Sequence, residues 1–485
     1  MSALRYVCVS DLHLGAEDSL LTTRDKDGTV RDVPGDTLLA LAKGLRATLT
    51  PLAGETPPTL VFMGDVLDLG LSTASDVSRA FLAFLDALFP AGEAPLFAND
   101  VIVIPGNHDH HLWRMARDER LLEHIWGQHP HALGQDADLE CVSPLLDPPN
   151  FACRYLTGLM RMRPHLKDAE ARIAYPNLGF VDGAGDRAVV LHHGHYLDAT
   201  YRALSRLKGW LEASGVRPDE IADLERENGP WVDFLWSNLG DAGDIGKGIN
   251  TLYGTLLDAS ASHGFALTLA DRIVTAMSRT LGIREDMELG YGVTLVEAVR
   301  AAIGMTAGRA ANAQREGYYQ VMSADEIDDL VWYVEEPVAR QFRAESQTGL
   351  AATTSFVFGH THKPFQDQIA VPGYGTPVRV YNTGGWVLDR PTAMACQGGA
   401  MVLIDDALNV ASLRLFNDPV NEAMIPVHAG GVGGFDDTEN ELLAALEAAV
   451  EGAAADWGVF SKHMHDEIRM HAERALHRFF AKDEV

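Results

Sequence analysis

Short β-rich apolar runs alternate with helical stretches over the first 110 residues. The pattern predicts strands over residues 6–9, 59–63 and 101–104 and helices over 37–49 and 76–89. Each of these strands runs directly into a polar patch: Ser10-Asp11-Leu12-His13, Gly64-Asp65-Val66-Leu67-Asp68 and Pro105-Gly106-Asn107-His108-Asp109. Polar side chains are thereby placed at strand C-terminal ends, where sites form in α/β sheets. Residues 113–174 read as mixed, with helix-like pieces and a proline-rich loop. Two more strands, 179–182 and 187–191, flank a Gly183-Ala184-Gly185-Asp186 turn, and the second ends in His192-His193-Gly194-His195.

Residues 196–350 change character, with helical periodicity over 201–211, 265–281 and 293–303. Strand patterning returns at 355–358, which ends in Gly359-His360-Thr361-His362, and at 378–381 and 401–405. The α/β core is therefore expected to close across an insertion. Beyond a glycine-rich stretch at 430–434, Thr438 and Glu441 read as a capping box before Leu442, Leu443, Leu446 and Val450 at helical spacing.

At 485 residues, 47% apolar and 22% charged, the chain can bury a large interior in more than one lobe, which excludes wholesale disorder. Its 68 acidic and 39 basic side chains leave a charge of -29, which disfavours broad nucleic-acid binding. Cys8, Cys141, Cys153 and Cys396 form no CxxC pair, so a reducing compartment is expected. No run suggests a membrane span, and a strand begins too early to leave room for a secretion signal, so the expected location is cytoplasmic.

Nine of the 19 histidines (His13, His108, His110, His111, His192, His193, His195, His360 and His362) fall in the patches after strands. Imidazole, carboxylate and amide oxygen together suit first-row metals such as manganese, iron or zinc. The candidates exceed one ion's needs, and a bridging aspartate such as Asp65 would accommodate two.

The ordered blocks Asp11-x-His13, Gly64-Asp65-x-x-Asp68, Gly106-Asn107-His108-Asp109, His193-Gly194-His195 and Gly359-His360-x-His362 resemble the calcineurin-like metallophosphoesterases, over residues 4–195 and 355–415. The resemblance implies an α/β protein with a metallophosphoesterase-type β-sandwich core flanked by helices, to which the patterning adds a large helical insertion and a C-terminal helical tail. The core would occupy 1–195 and 351–420, a helical cap 196–350, and a linker and tail 421–485. It further implies that Asp11, His13, Asp65 and His362 hold one ion while Asp65, Asn107, His193 and His360 hold the other. His108 would stabilise the phosphate and protonate the leaving oxygen, with Asp68 orienting it.

The implied cofactor is two divalent ions, manganese first, with iron, zinc and cobalt as alternatives. The expected reaction is hydrolysis of a phosphomonoester, phosphodiester or pyrophosphate of a small molecule or nucleotide by hydroxide that the ions activate. A DNA-repair type of nuclease and a non-catalytic metal-binding scaffold are the rival readings, and the oligomeric state is open.

Strand alternation turns His192 away from the site and brings His195 back toward His193, as a metal, substrate or supporting contact. His110, His111 and Arg114 extend the third block and read as exposed residues on a first helical turn, with phosphate contact as the alternative, and His463, His465, His471 and His477 read as a solvated helix face. Asn382-Thr383-Gly384-Gly385-Trp386 should bring backbone close to the metals, with Trp386 at the pocket. The insertion carries 24 acidic and 14 basic side chains, so it reads as a cap and not a nucleic-acid clamp. Trp210, Trp231, Phe234, Leu235 and Trp236 in it read as the lobe's own core, or as a surface for an apolar substrate group.

Overall fold

The computed structural model describes residues 2–127, 140–211, 217–233, 288–290, 293–294, 322–388, 397–416, 427–430, 437 and 439–480. Its strands are β1 (Leu4–Val9), β2 (Thr59–Phe62), β3 (Val101–Val103), β4 (Phe151–Ala152), β5 (Ala171–Ile173), β6 (Asn177–Val181), β7 (Arg187–His192), β8 (Glu288–Gly290), β9 (Val293–Thr294), β10 (Thr353–Phe358), β11 (Phe365–Ile369), β12 (Val378–Asn382), β13 (Gly399–Asp405), β14 (Val410–Phe416) and β15 (His428–Gly430). The helices are α1 (Asp36–Leu49), α2 (Ala74–Leu88), α3 (His111–Gly127), α4 (Arg154–Arg161), α5 (Ala203–Leu211), α6 (Ile221–Val232), α7 (Ala324–Tyr333), α8 (Ala339–Glu345), α9 (Glu441–Gly452) and α10 (Ala454–Phe480).

Two sheets form the sandwich. The larger runs β15-β14-β13-β1-β2-β3-β5-β4, and the smaller β11-β12-β10-β7-β6. Strands β1, β2, β3 and β5 are parallel neighbours, as are β7, β10 and β12. Alternation along β1 and β2 divides their side chains between two cores. Cys8, Val61 and Ile104 pack with Leu178, Val189, Val357 and Tyr381 between the sheets. On the outer face of the larger sheet, Val7, Val9, Leu60 and Phe62 meet Leu41 and Leu45 of α1 and Phe81 and Phe84 of α2. The outer face of the smaller sheet, with Val190, Phe356 and Val380, is covered by Leu224 of α6, Leu330 and Tyr333 of α7 and Phe342 of α8. Strands covered on both faces explain the near-continuous apolar runs in the sequence.

Helix α2 starts where the Thr73 side chain accepts from Asp76 N, and α7 carries a full capping box from Ser323 and Glu326. The cap of α9 differs from the Thr438 expectation. Asn440 holds that place, its side chain accepting from Leu443 N while its amide donates to Val410 O. The C-terminal helices pack on the chain's own core, and Trp457 Nε1 donates to Thr48 Oγ1 at 2.9 Å on α1. Their histidines are not one solvated face: His471 is buried.

Strands β4 and β5 lie in the stretch read as mixed, because two or three residues are too short to show a period. Of the insertion's expected helices, residues 201–211 contain α5, while 265–281 lie outside the described residues. Residues 293–303 open as strand β9, and the rest lie outside the description. Phe234, Leu235 and Trp236 also lie outside it, as does the side chain of Trp210. No helix among the described residues is long and apolar enough to cross a membrane. Among the described residues Cys8, Cys141 and Cys153 form no disulfide.

Candidate metal centre

The parallel strands β1, β2 and β3 deliver Asp11 and His13, Asp65, and Asn107 and His108 from their C-terminal ends. Parallel β7 and β10 deliver His193, His360 and His362 from the other sheet. The turns are unusual in their backbone. Among the described non-glycine residues, positive φ occurs at Asp11 (53°), His13 (45°), Asp65 (51°), His360 (69°) and His362 (57°), and otherwise only at Leu408. A left-handed conformation costs about 1–2 kcal/mol per side-chain-bearing residue. Such strain, confined almost wholly to candidate donors, marks a place where side-chain direction outweighs backbone comfort.

The donors converge in three groups whose ligand atoms lie within 4.8 Å of one another: Asp11, His13 and His362; Asp65, His193 and His360; and His13, Asp68 and His108. Asp65 joins the first two groups. Its Oδ2 stands 3.9 Å from His13 Nε2 and 3.3 Å from His193 Nε2, while Oδ1 accepts from His108 N at 2.7 Å. Asp11 Oδ1 lies 3.4 Å from His362 Nε2, and its Oδ2 accepts from the Ser10 hydroxyl and from His360 N at 2.9 Å. The His193 ring has Nδ1 at 2.9 Å from Met63 O, so Nδ1–H donates there and Nε2 is presented to Asn107 Oδ1 at 3.1 Å. Fixing the tautomer through the outer nitrogen is how metal-ligating histidines are oriented.

A cation fits this set. Asp11 Oδ1 and His13 Nε2 are buried with no hydrogen-bond partner, a costly condition that a metal ion would relieve. The residues also mix carboxylate and amide oxygen with imidazole nitrogen, a set suited to first-row divalent ions.

Electrostatics point the same way. Burial would raise the Asp65 carboxyl, but the charges of His193 and His108 hold it well below its usual range. Burial likewise opposes ionisation of Asp11, and the neighbouring His362 and the charge of His193 prevail and lower it. Burial would lower His193, but Asp65 pushes it up to about 9. His13, by contrast, is brought down to about 4 by burial and by the charge of His108, which leaves it neutral and able to ligate.

His108 Nδ1 lies 2.7 Å from Asp68 Oδ1, and Asp68 Oδ2 in turn accepts from Ser72 Oγ at 3.1 Å. Burial disfavours the charged ring, yet Asp65 and the bond to Asp68 raise it to about 9. Asp109, the last residue of the third block, ties the turns together. Its carboxylate accepts from Gly106 N at 2.7 Å, Asp65 N at 3.2 Å and Val66 N at 3.0 Å, tying one ligand turn to the next. The only signal for it was its place directly after His108.

Asn382 Nδ2 donates to Gly359 O at 2.9 Å, and a Cβ on Gly385 would stand 2.6 Å from the His362 ring, so backbone does approach a donor closely here. Trp386 does not line a pocket. Its side chain is wholly buried, edge-on to Phe416, and its backbone N–H donates to Asp11 O.

His192 is buried away from the three groups, with Nδ1 3.0 Å from Pro176 O and its ring stacked on Tyr333, and burial lowers it to about 3. His195 is not brought into the groups either. The strand ends at His192, Gly194 takes φ 126°, and a 3-10 turn directs His195 Nε2 to the Tyr175 hydroxyl at 3.2 Å. His110 departs most from expectation. Instead of facing solvent it is buried, Nδ1 2.6 Å from Asp233 Oδ1 and Nε2 3.3 Å from Glu225 Oε1. His111 is partly exposed and Arg114 is exposed.

The family model for calcineurin-like phosphoesterase matches residues 4–244, a span that takes in Asp11 through His195 and stops short of His360 and His362. A comparison with curated proteins gives no match.

Proposed function

Because the chain belongs to the calcineurin-like phosphoesterases, we propose that it hydrolyses a phosphate ester of a small molecule or nucleotide at two divalent ions. Asp11, His13, Asp65 and His362 would hold one, and Asp65, Asn107, His193 and His360 the other. The observation that carries this reading is the position of Asp65 Oδ2, which faces His13 Nε2 on one side and His193 Nε2 on the other. Bound there, divalent ions would supply an activated water at neutral pH and neutralise charge on the phosphoryl oxygens.

The chain's own residues do the rest. Asp65 Oδ1 fixes the His108 backbone, so the carboxylate that serves both groups also sets where the imidazole stands. His108, which Asp65 and the bond to Asp68 raise to about 9 in the metal-free protein, would stabilise charge growing on phosphorus-bound oxygen and deliver its proton to the leaving oxygen. Asp68 orients the ring and balances its charge.

The test is turnover with manganese added, on para-nitrophenyl phosphate, bis-para-nitrophenyl phosphate, cyclic nucleotides, nucleotide diphosphate sugars and a single-stranded oligonucleotide, each against a chelator control. Chelator-sensitive cleavage of one class names the substrate family. Oligonucleotide cleavage would favour a nuclease, and silence from metal-loaded protein would favour a scaffold. Iron, zinc and cobalt replace manganese in parallel reactions.

A further inference from the structure

Helix α6 belongs to the segment between the fourth and fifth blocks, yet it reaches a candidate catalytic turn. Glu225, Gly229 and Asp233, at positions i, i+4 and i+8, share one face of this helix and its C-cap. A Cβ on Gly229 would stand 2.4 Å from Glu225 Oε1, so the Glu225 carboxylate lies back along the helix over a residue with no side chain. His110 is held between the two carboxylates. Glu225 Oε2 accepts from the Tyr175 hydroxyl at 2.9 Å and from the Tyr196 hydroxyl, and Asp233 Oδ2 lies 3.5 Å from Arg114 Nη1. Two carboxylates, one imidazole and one guanidinium thus meet in a cluster outside the three donor groups, with only the guanidinium side exposed.

A buried ion network is a poor source of stability but a strong determinant of geometry. Here the geometry is that of residues 107–110. Asn107 reaches His193, the His108 ring reaches Asp68, Asp109 takes backbone N–H groups of the neighbouring turn, and His110 reaches α6. The His110 carbonyl also accepts from Trp113 N at 3.0 Å and Arg114 N at 3.2 Å, so the residue that α6 grips also opens α3.

We propose that His110 is a positioning residue through which Glu225 and Asp233 of α6 fix the turn carrying Asn107 and His108. Placement errors of about 1 Å in such a turn cost on the order of a hundredfold in rate. The proposal rests on the phosphoesterase reading for its turnover readout, and independently on manganese binding for its second.

The experiment compares Asp233→Ala with Asp233→Asn in the full chain, with His110→Ala alongside. Manganese dissociation constants are read by titration calorimetry, kcat and KM at saturating manganese on the best substrate of the panel, and melting temperature as a check on folding. His110→Ala strands two carboxylates in the interior, so the decision is made on the Asp233 pair. Asp233→Ala is expected to weaken the site containing Asn107 at least fivefold and to lower kcat about tenfold with KM within twofold. Asp233→Asn, which still offers an oxygen to His110 Nδ1, should recover most of both losses. A folded Asp233→Ala protein with wild-type manganese affinity and kcat would overturn the proposal, as would an Asp233→Asn protein as impaired as Asp233→Ala. Should the wild type bind manganese and hydrolyse nothing, the phosphoesterase reading falls, while the difference in manganese affinity still judges the positioning role.

Discussion

His108 Nδ1 and Asp68 Oδ1 stand 2.7 Å apart, both buried, across the gap between the turns that follow β3 and β2. This is a charge-assisted bond that fixes one ring nitrogen and with it the orientation of the imidazole.

Replacing His108 with alanine should therefore lower kcat about a hundredfold to ten-thousandfold, the usual worth of a placed acid, while elemental analysis finds wild-type metal content. Asp68→Ala should cost less, about ten- to a hundredfold, because the ring stays while its orientation is lost. Unchanged turnover in His108→Ala would remove it from the reaction.

Replacing Asp65 with alanine should empty the site. The variant deletes the oxygen that faces both His13 and His193, and metal analysis after dialysis should find less than half the wild-type content. A full complement of metal would show that Asp65 does not hold the ions.

The metal-free protein should lose stability as the solution is made alkaline. His110 is raised to about 10: burial opposes its charge, and Glu225 and Asp233 more than compensate. An unfolded histidine titrates near 6.5, so the native state holds a proton through a window in which the unfolded chain does not. The stabilisation is complete below about pH 6.5 and is lost as pH rises through about 10. Asp233, lowered by His110 against the effect of burial, acts in the opposite direction: its contribution is present above its ordinary value and fades in acid. Melting temperature followed from pH 6 to 10 in chelator should fall by several degrees, and the slope should flatten in His110→Gln. An equal slope in both proteins would count against this account.

Trp457→Ala should destabilise by about 3–5 kcal/mol, since it removes a buried indole and leaves a cavity against α1. Denaturant midpoints would measure the loss. Turnover per folded molecule should be unaffected, because Trp457 packs on Gly44 and Thr48, on the helix-covered outer face of the larger sheet.

Much of the candidate site was legible in the sequence because each donor follows a strand within a few residues. Strand patterning alone places Asp11, Asp65, Asn107, His193 and His360 at equivalent ends. What the sequence hid depended on distant partners or on a local break in period. His110 looks like any polar residue opening a helix until Asp233, 123 positions away, is packed beside it. His195 was assigned by strand alternation, but the strand had already ended and Gly194 turned the chain. The α9 cap went to Asn440 over Thr438, two polar residues whose local signals are alike. Trp386 shows the limit of motif proximity: it sits beside Asp11 in space through its backbone while its ring fills the core.

The interleaving of β13 between β1 and β14 also governs the order in which the molecule can be made. The larger sheet places residues 4–9 beside residues 399–405, and the smaller sheet pairs residues 187–191 with 353–357. As the chain leaves the ribosome, Asp11, His13 and Asp65 emerge hundreds of residues ahead of His360 and His362. From residue 193 to residue 360 the nascent chain therefore holds five of the seven candidate donors. Completion of the candidate donor set is necessarily a late event, coupled to closure of the sandwich, and a chain truncated before β10 would be left with an open sheet edge at β7.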